Sequence, residues 1–401
     1  MEGASERLEG MRQGNLRHRN MARVFGLIGS AGAAVSRADL AAASGLTKPT
    51  VSKLVDSLVQ AGLVVEGEAV AGVMGRPKIP LQLEGYACFG VGLEIMWKRI
   101  RAVAMGLDGR VLARNEFTLD VPSADYREVV RESAALVRGL RDSARRVCAA
   151  GGVNAPQDLG LCLAIPGRTD SDEETILSAP ILDWFDVPFI RDLRDELGDE
   201  ETFSAFNDNQ LAVLFEVHEH PGESFLFVSA STGIGGAVVL DGHVYGGLNG
   251  WAGEIGHTVV DRHGPLCRCG RQGCIEAYLS RKALQERAGV ASTTHIAETI
   301  GALFQDADAQ ETAGELGELL GIALSNALNV LDINKVVLAG YLVDLLPHIA
   351  GPLAETLRGR ALVNEVGEVA LEASEAPGEA SVLGACRMTL RPVFDNPAQW
   401  L

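Results

Sequence analysis

Three of the chain's seven cysteines, Cys267, Cys269 and Cys274, fall within eight residues of one another, directly after "GEIGH" at 253–257. Pro265, Gly270 and Gly273 break the same stretch, leaving it little apolar material to fold around. Cys-x-Cys-x4-Cys with one histidine is a Cys3His set, sufficient for a closed tetrahedral zinc site. A bound metal would organise a loop that folds poorly alone. The Cys-x-x-Cys spacing of a redox pair is missing. His257 and His263 both lie upstream, and spacing alone does not choose between them. The opening "MEGASERLEGMRQGN" is polar, with no apolar run that could serve as a secretory signal. No apolar run approaches the length of a bilayer crossing. The expected location is the cytoplasm, off the membrane, where thiols stay reduced and a cysteine cluster points to metal rather than disulfides.

Charge divides the 401 residues unevenly. Residues 1–80 hold ten Lys/Arg against seven Asp/Glu, a net +3, which leaves −21 on the remainder of a −18 chain. A basic head on an acidic body fits a small nucleic-acid module joined to something else. In the head, Met21, Val24, Phe25 and Ile28 recur at helical spacing. Ser36, with Asp39 three residues on, caps a short helix. Thr47 caps the next, with Pro49 in its first turn. Val51, Leu54, Val55 and Leu58 form that helix's buried stripe and Gly62 ends it. Two helices joined by a tight turn read as helix-turn-helix. Thr47, Lys48, Thr50, Ser52 and Lys53 lie at its start or away from the stripe, and are residue types that reach phosphates and base edges. "LVVEGEAVAGVMGRPKIPLQLE" reads as two strands around a turn, a wing, with Arg76 placed for a minor groove.

After Pro80 the pattern changes. "CFGVGLEI", "RIRAVAMGLDG" and "RVLARNEFTLD" read as three successive strands, followed by a helix over 126–148 and the strand "LGLCLAIPG". The theme recurs as "SFLFVSAST", "IGGAVVLDGHVYGG", a helix over 314–331 and "KVVLAG". Strand meanders followed by helices, twice over, predict two related α/β lobes with a cleft between them. Polar residues gather at strand ends: Asn207 and Asp208 in "AFNDNQ", and the glycine-rich "STGIGG", a turn of the kind that can offer backbone N–H groups to phosphate. Glu254 and His257 are three apart in "GWAGEIGH" and share a face if that stretch is helical.

Together these residues resemble the ROK family of repressors, open reading frames and sugar kinases, over nearly the whole chain. "FNDNQLAVLFE" is similar to the family's Asn-Asp motif. "STGIGGAVVLDGHVYGGLNGWAGEIGHTVV" and "CRCGRQGCIEAYLS" resemble its glycine loop, sugar-binding Glu/His and zinc signature. "LSAPILDWFDVPF" is similar to the segment before the second sugar-contacting strand. The resemblance implies a winged helix-turn-helix domain over 1–82 and a two-lobed, actin-like (RNase H-like) sugar-kinase fold over 83–401. It implies one structural zinc per chain on His257, Cys267, Cys269 and Cys274. It also implies a sugar pocket of Asn207, Asp208, Glu254, His257 and Glu276, in which His257 serves metal and sugar through its two ring nitrogens.

The chain departs from the family's kinases on the nucleotide side. "GVGLEIMWKR" lacks the Asp and Thr of their first phosphate loop. Ser231 and Ala237 stand where those enzymes commonly have glycines, and Tyr341 follows Ala339 and Gly340 at the adenosine-side turn. Asp208, the general base in a kinase, then reads as a hydrogen-bond acceptor for ligand. The expectation is a sugar-responsive transcriptional regulator, a repressor of carbohydrate-metabolism genes and not an enzyme. Its partners would be pseudo-palindromic operator DNA, a monosaccharide or sugar-derivative effector, and further copies of itself as a dimer or tetramer. The alternative is an active ATP-dependent sugar kinase carrying a DNA-binding head.

Overall fold

The computed structural model describes residues 2–31, 35–69, 78–170, 172, 174–198, 202–248, 252–305, 308–376 and 378–401, with side chains from residue 16 onward. The chain forms two compact units, one of Met1–Phe206 with Ala385–Leu401 and one of Asn207–Gly384.

The first unit begins with three helices, α1 (Glu2–Gly29), α2 (Arg37–Ser44) and α3 (Lys48–Gln60), and a short antiparallel pair, β1 (Val64–Glu66) and β2 (Leu81–Leu83). Met21, Val24, Phe25 and Ile28 of α1 are buried, as are Val51, Leu54, Val55 and Leu58 of α3. Ser36 and Asp39 complete a reciprocal capping box on α2, and Gly45 closes that helix in the left-handed conformation. Thr47 caps α3 by accepting from the Thr50 backbone N–H. The β1–β2 pair is the base of the expected wing. Residues 70–77, with Arg76, lie outside the described residues.

A five-stranded sheet follows, from β3 (Cys88–Met96), β4 (Arg99–Gly106), β5 (Val111–Phe117), β6 (Gln157–Ile165) and β10 (Phe203–Asn207), in the order β10-β6-β3-β4-β5. α4 (Tyr126–Ala150) lies between β5 and β6 in sequence. A small sheet of β7 (Arg168–Thr169), β8 (Ile176–Ala179) and β9 (Trp184–Val187), then α5 (Phe189–Leu197), fill the stretch before β10. Central β3 is buried along nearly its whole length, as a strand covered on both faces must be. Val129, Val137, Leu140 and Ala144 of α4 join its core. The C-terminal helix α12 (Ala380–Asp395) ends in this unit.

The second unit opens with α6 (Asp208–Glu219) and repeats the sheet. Its strands are β11 (Phe225–Ala230), β12 (Ile234–Leu240), β13 (His243–Tyr245), β14 (Lys335–Gly340) and β15 (Ala370–Ala373), in the order β13-β12-β11-β14-β15. In both units an antiparallel three-strand meander is extended by a strand that joins its first member in parallel, β6 on β3 and β14 on β11. That is the duplication the sequence pattern predicts. Between β13 and β14 run α7 (Glu276–Leu279), α8 (Arg281–Arg287), α9 (Ile296–Leu303) and α10 (Ala309–Leu331), and α11 (Leu342–Arg360) follows β14. The "GEIGH" stretch forms only a 3-10 turn, Ile255–His257, so Glu254 precedes a short turn instead of sharing a helical face with His257. Among the described residues no helix is long and apolar enough to cross a membrane.

Candidate functional site

The start of β12 is the hub of the site in the second unit. Asn207 accepts from the Asn209 backbone N–H at 2.9 Å and caps α6, which leaves Asp208 buried in the first helical position. The Asn209 amide lies against Gly235, where any side chain would meet it. One residue earlier, the Ile234 N–H donates to Glu276 Oε2 at 3.2 Å. Gly236 adjoins the Gly253 carbonyl and Ile255, and Gly256 backs onto the Ile234 carbonyl. Asn207, Asp208, Glu254, His257 and Glu276 are therefore all carried by segments that touch residues 234–236 or lie within a few positions of those that do. Glu254 is exposed, and its carboxylate makes no hydrogen bond or ion pair among the described residues. It is free to accept from a ligand hydroxyl, and charged acceptors make the stronger hydrogen bonds.

The cysteine loop meets this hub through Glu276 and His257. Cys267 Sγ lies 3.8 Å from His257 Nδ1 and 3.7 Å from Glu276 Oε1. Cys269 and Cys274 sulfurs are 3.7 Å apart. The donor atoms of His257, Cys267, Cys269 and Cys274 all fall within 4.8 Å of one another, a cluster able to hold one metal ion. A tetrahedron with Zn–S bonds near 2.3 Å has S···S edges of about 3.8 Å, and the observed separations match that edge. His263 is exposed and outside the cluster. The structure thus brings His257, the histidine that spacing left open, to the three sulfurs. Burial pushes the Cys274 thiol up to about 12. Burial also acts to raise Cys269, but the Arg271 N–H and the neighbouring sulfurs outweigh it and bring that thiol down to about 6. Tyr278, donating its hydroxyl to Asp261 at 3.1 Å, braces the loop from below.

In the head, Thr47, Lys48 and Lys53 are exposed, and Thr50 and Ser52 are half-buried. Thr47 and Thr50 share a hydroxyl–hydroxyl hydrogen bond of 2.8 Å, so their side chains are partly engaged by the cap itself. Sequence reasoning missed Arg37, which pairs with Asp56 of α3 at 2.7 Å and with Glu66 of β1. It neutralises two carboxylates beside the exposed face of α3. Lys78 binds Asp39 at 3.0 Å, tying the far side of the wing to the α2 cap.

A second missed group sits on β3. Glu94 is almost fully buried and accepts from Arg101, equally buried, at 2.6 Å, with Arg99 at 3.5 Å. The lone acid in the apolar run "CFGVGLEI" was the available signal. Tyr341 is buried as well, and its hydroxyl donates to the Leu279 carbonyl at 2.8 Å. Burial drives its ionisation far up, so it stays a neutral donor.

The ROK family model matches residues 90–391, and a MarR family model matches residues 19–71. The chain is 26% identical over 371 residues to the xylose repressor of Bacillus subtilis (strain 168), covering 90% of this chain and 92% of that protein. Among solved structures it is similar to a ROK family transcriptional regulator described as a homologue of the E. coli Mlc protein, with TM-score 0.74 and 21% identity, covering 95% of this chain and 97% of the other. It is also similar to a ROK hexokinase from Thermus thermophilus, with TM-score 0.60 and 27% identity, covering 78% of this chain and 98% of that one. With the matched span taking in both repeated sheets and the cysteine loop, the chain belongs to the ROK family.

Proposed function

We propose that this protein is a sugar-responsive, DNA-binding transcriptional repressor of carbohydrate-metabolism genes, acting in the cytoplasm as a dimer or tetramer. The division of labour is a head over 1–82 that binds DNA and a body over 83–401 that binds the effector. The observation that carries this reading is the joining of a winged helix, with Lys48 and Lys53 exposed on α3, to a body that keeps Asn207, Asp208, Glu254, His257 and Glu276 around one strand start. Similarity to a xylose repressor over nine-tenths of the chain supports it. A two-fold protein favours a pseudo-palindromic operator, with half-sites one helical turn or a multiple of it apart.

The five site residues offer carboxylates, an amide and an imidazole to a monosaccharide or a sugar derivative. Zinc fits the Cys3His donor set, and when bound it would hold His257 in one orientation and stiffen the loop that carries Glu276. His257 then presents its other ring nitrogen to a sugar hydroxyl, while Asp208 serves as an acceptor. The kinase reading draws support from the likeness to a hexokinase. Against it stands the end of β3, where "GVGLEIMWKR" lacks the Asp and Thr of the first phosphate loop of the family's kinases. Phosphoryl transfer depends on polar groups arranged around phosphate oxygens, and those two are missing here. Tyr341 stands at what the resemblance marks as the adenosine-side turn, buried with its hydroxyl on the Leu279 carbonyl.

Operator selection from a random DNA pool tests the reading. The full chain should enrich a two-fold sequence, and a chain lacking residues 1–82 should enrich none. Retention of operator binding by the truncated chain would sink the assignment of the head.

A further inference from the structure

We propose that the first turn of α2 is a clamp that sets the wing against the recognition helix α3, with Arg37 as its positioning residue; this rests on DNA binding by the head, as proposed above. The wing needs such support. Its base is only three residue pairs long, joining Val64 to Leu83, Val65 to Gln82 and Glu66 to Leu81. A two-stranded ribbon of that size is marginal on its own in water. Val64, Leu81 and Leu83 are buried, while Val65, Glu66, Lys78 and Ile79 are exposed. Apolar packing seats the base and leaves the stems beyond it to be held by polar contacts.

Residues 35–39 hold those stems from both sides. The Val35 carbonyl accepts from the Leu81 N–H at 2.8 Å, which lays a third extended segment beside the ribbon. On the outgoing stem, Glu66 pairs with Arg37. On the returning stem, Lys78 pairs with Asp39 at 3.0 Å, and Asp39 is itself fixed by the Ser36 hydroxyl at 2.7 Å. Between the stems, the Gly67 N–H donates to the Pro80 carbonyl at 2.8 Å.

Arg37 also reaches the recognition helix. Its Nη1 meets Glu66 of β1 while its Nη2 meets Asp56 of α3 at 2.7 Å, one turn along from Lys53. A guanidinium is a planar, rigid fork, so the two bonds hold the wing stem and the helix at a set spacing. The Arg37 side chain is 27% exposed, against 67% for Asp56 and 37% for Glu66. With both arms engaged, its charge is committed to the protein and not to a phosphate. Helix and wing then meet DNA as one body, and the wing is ordered in the fold instead of on the operator. This reverses an ordinary expectation. Removing an acid from a DNA-binding face relieves repulsion of phosphates and strengthens binding. Removing Glu66 should weaken it, because the outgoing stem is set loose.

The test uses the full chain and two duplexes: the selected operator, and the same operator trimmed of the base pairs outside its half-sites. Affinity is read by titration across ionic strengths. Glu66→Thr keeps the strand preference at an exposed position and should melt as the wild type does. It should nevertheless bind the full operator about tenfold more weakly, the order of one segment's ordering cost on binding. On the trimmed duplex it should match the wild type. Arg37→Ala should show the same pattern, and the double variant should be no weaker than Arg37→Ala, since the two residues act through one contact. Glu66→Thr binding the full operator as tightly as the wild type, or more tightly, overturns the clamp while leaving the proposed function standing. So does a wild type indifferent to trimming, whose wing then has no grip to position. An Arg37→Ala loss that is equal on both duplexes and lowers the salt slope by about one makes Arg37 a phosphate contact and overturns the clamp as well. A wild type that binds no operator overturns both.

Discussion

Replacing Cys269 by Ser should strip the metal and soften the second unit as a whole. Four donor atoms within 4.8 Å of one another, with sulfurs 3.7 Å apart, leave almost no rearrangement for zinc to impose. Apart from Tyr278 and its own backbone hydrogen bonds, the loop between Asp261 and Cys274 has little apolar packing to hold it: Leu266 is 77% exposed, and its buried groups are Cys267, Cys274 and two glycines. At free zinc a thousandfold above its dissociation constant, binding to the folded state alone is worth about 4.1 kcal/mol. For a unit the size of Asn207–Gly384 each kcal/mol moves the melting midpoint by about 2–4 °C, so loss of the metal should lower it by about 8–16 °C. Serine leaves two thiols and an imidazole, too few to close a tetrahedron. The assay pairs elemental analysis with calorimetry: about one zinc per wild-type chain, far less in Cys269→Ser, and no change in Cys148→Ala, whose thiol sits on α4 in the other unit. Because the ligands must lose protons, the apparent affinity should rise with pH, and with Cys274 pushed up to about 12 the rise should continue into the alkaline range. A Cys269→Ser protein that keeps its zinc and its melting midpoint would refute the reasoning.

Lys53 projects away from the buried stripe of α3, so Lys53→Ala should weaken operator binding and, if it meets only phosphate, lower the salt slope by about one in a titration across ionic strengths. An unchanged slope and affinity would take Lys53 off the DNA. Asp39 is held at about 2 by the Ser36 hydroxyl, by Lys78 and by the Ser36 N–H. Its folded value lies below the unfolded value of about 3.9, so its contribution is complete above that pH and disappears as pH falls through 2. Melts of the wild type and Asp39→Asn between pH 6 and 2 should converge at the acid end, and parallel curves would contradict the capping box. With the Asp and Thr of the kinases' first phosphate loop missing from "GVGLEIMWKR", incubation with Mg-ATP and any bound sugar should give no turnover near the roughly 1–100 per second of kinases; turnover at that rate would promote the enzyme reading.

The two-fold repeat was legible because each meander announces itself by strand-length apolar runs closed by tight turns, as in "LDGR" at 107–110 and "LDGH" at 240–243. The caps of α2 and α3 were legible because Ser36, Asp39 and Thr47 act within four residues of themselves. Contacts across long sequence separations were not. Nothing in "CFGVGLEI" says that Glu94 finds Arg101 on the next strand, nor in "SRADL" that Arg37 reaches Asp56 and Glu66. The choice of His257 over His263 needed the fold, since both precede the cysteines at workable distances. For "GWAGEIGH" the sequence left open whether a helix forms, and it does not, because Gly253 and Gly256 back onto β12.

The central claim is that a sugar held by Asp208, Glu254, His257 and Glu276 alters DNA binding by the head. Its most direct test is an operator titration with and without the active sugar, run side by side on the wild type and on Glu254→Gln. Glu254 is exposed and uncommitted, so this variant should fold normally and bind the operator like the wild type when no sugar is present. Losing one charged acceptor should weaken sugar affinity by about ten- to a hundredfold, moving the sugar response to correspondingly higher concentration. Glu254→Gln titrating with the same sugar midpoint as the wild type would contradict the account.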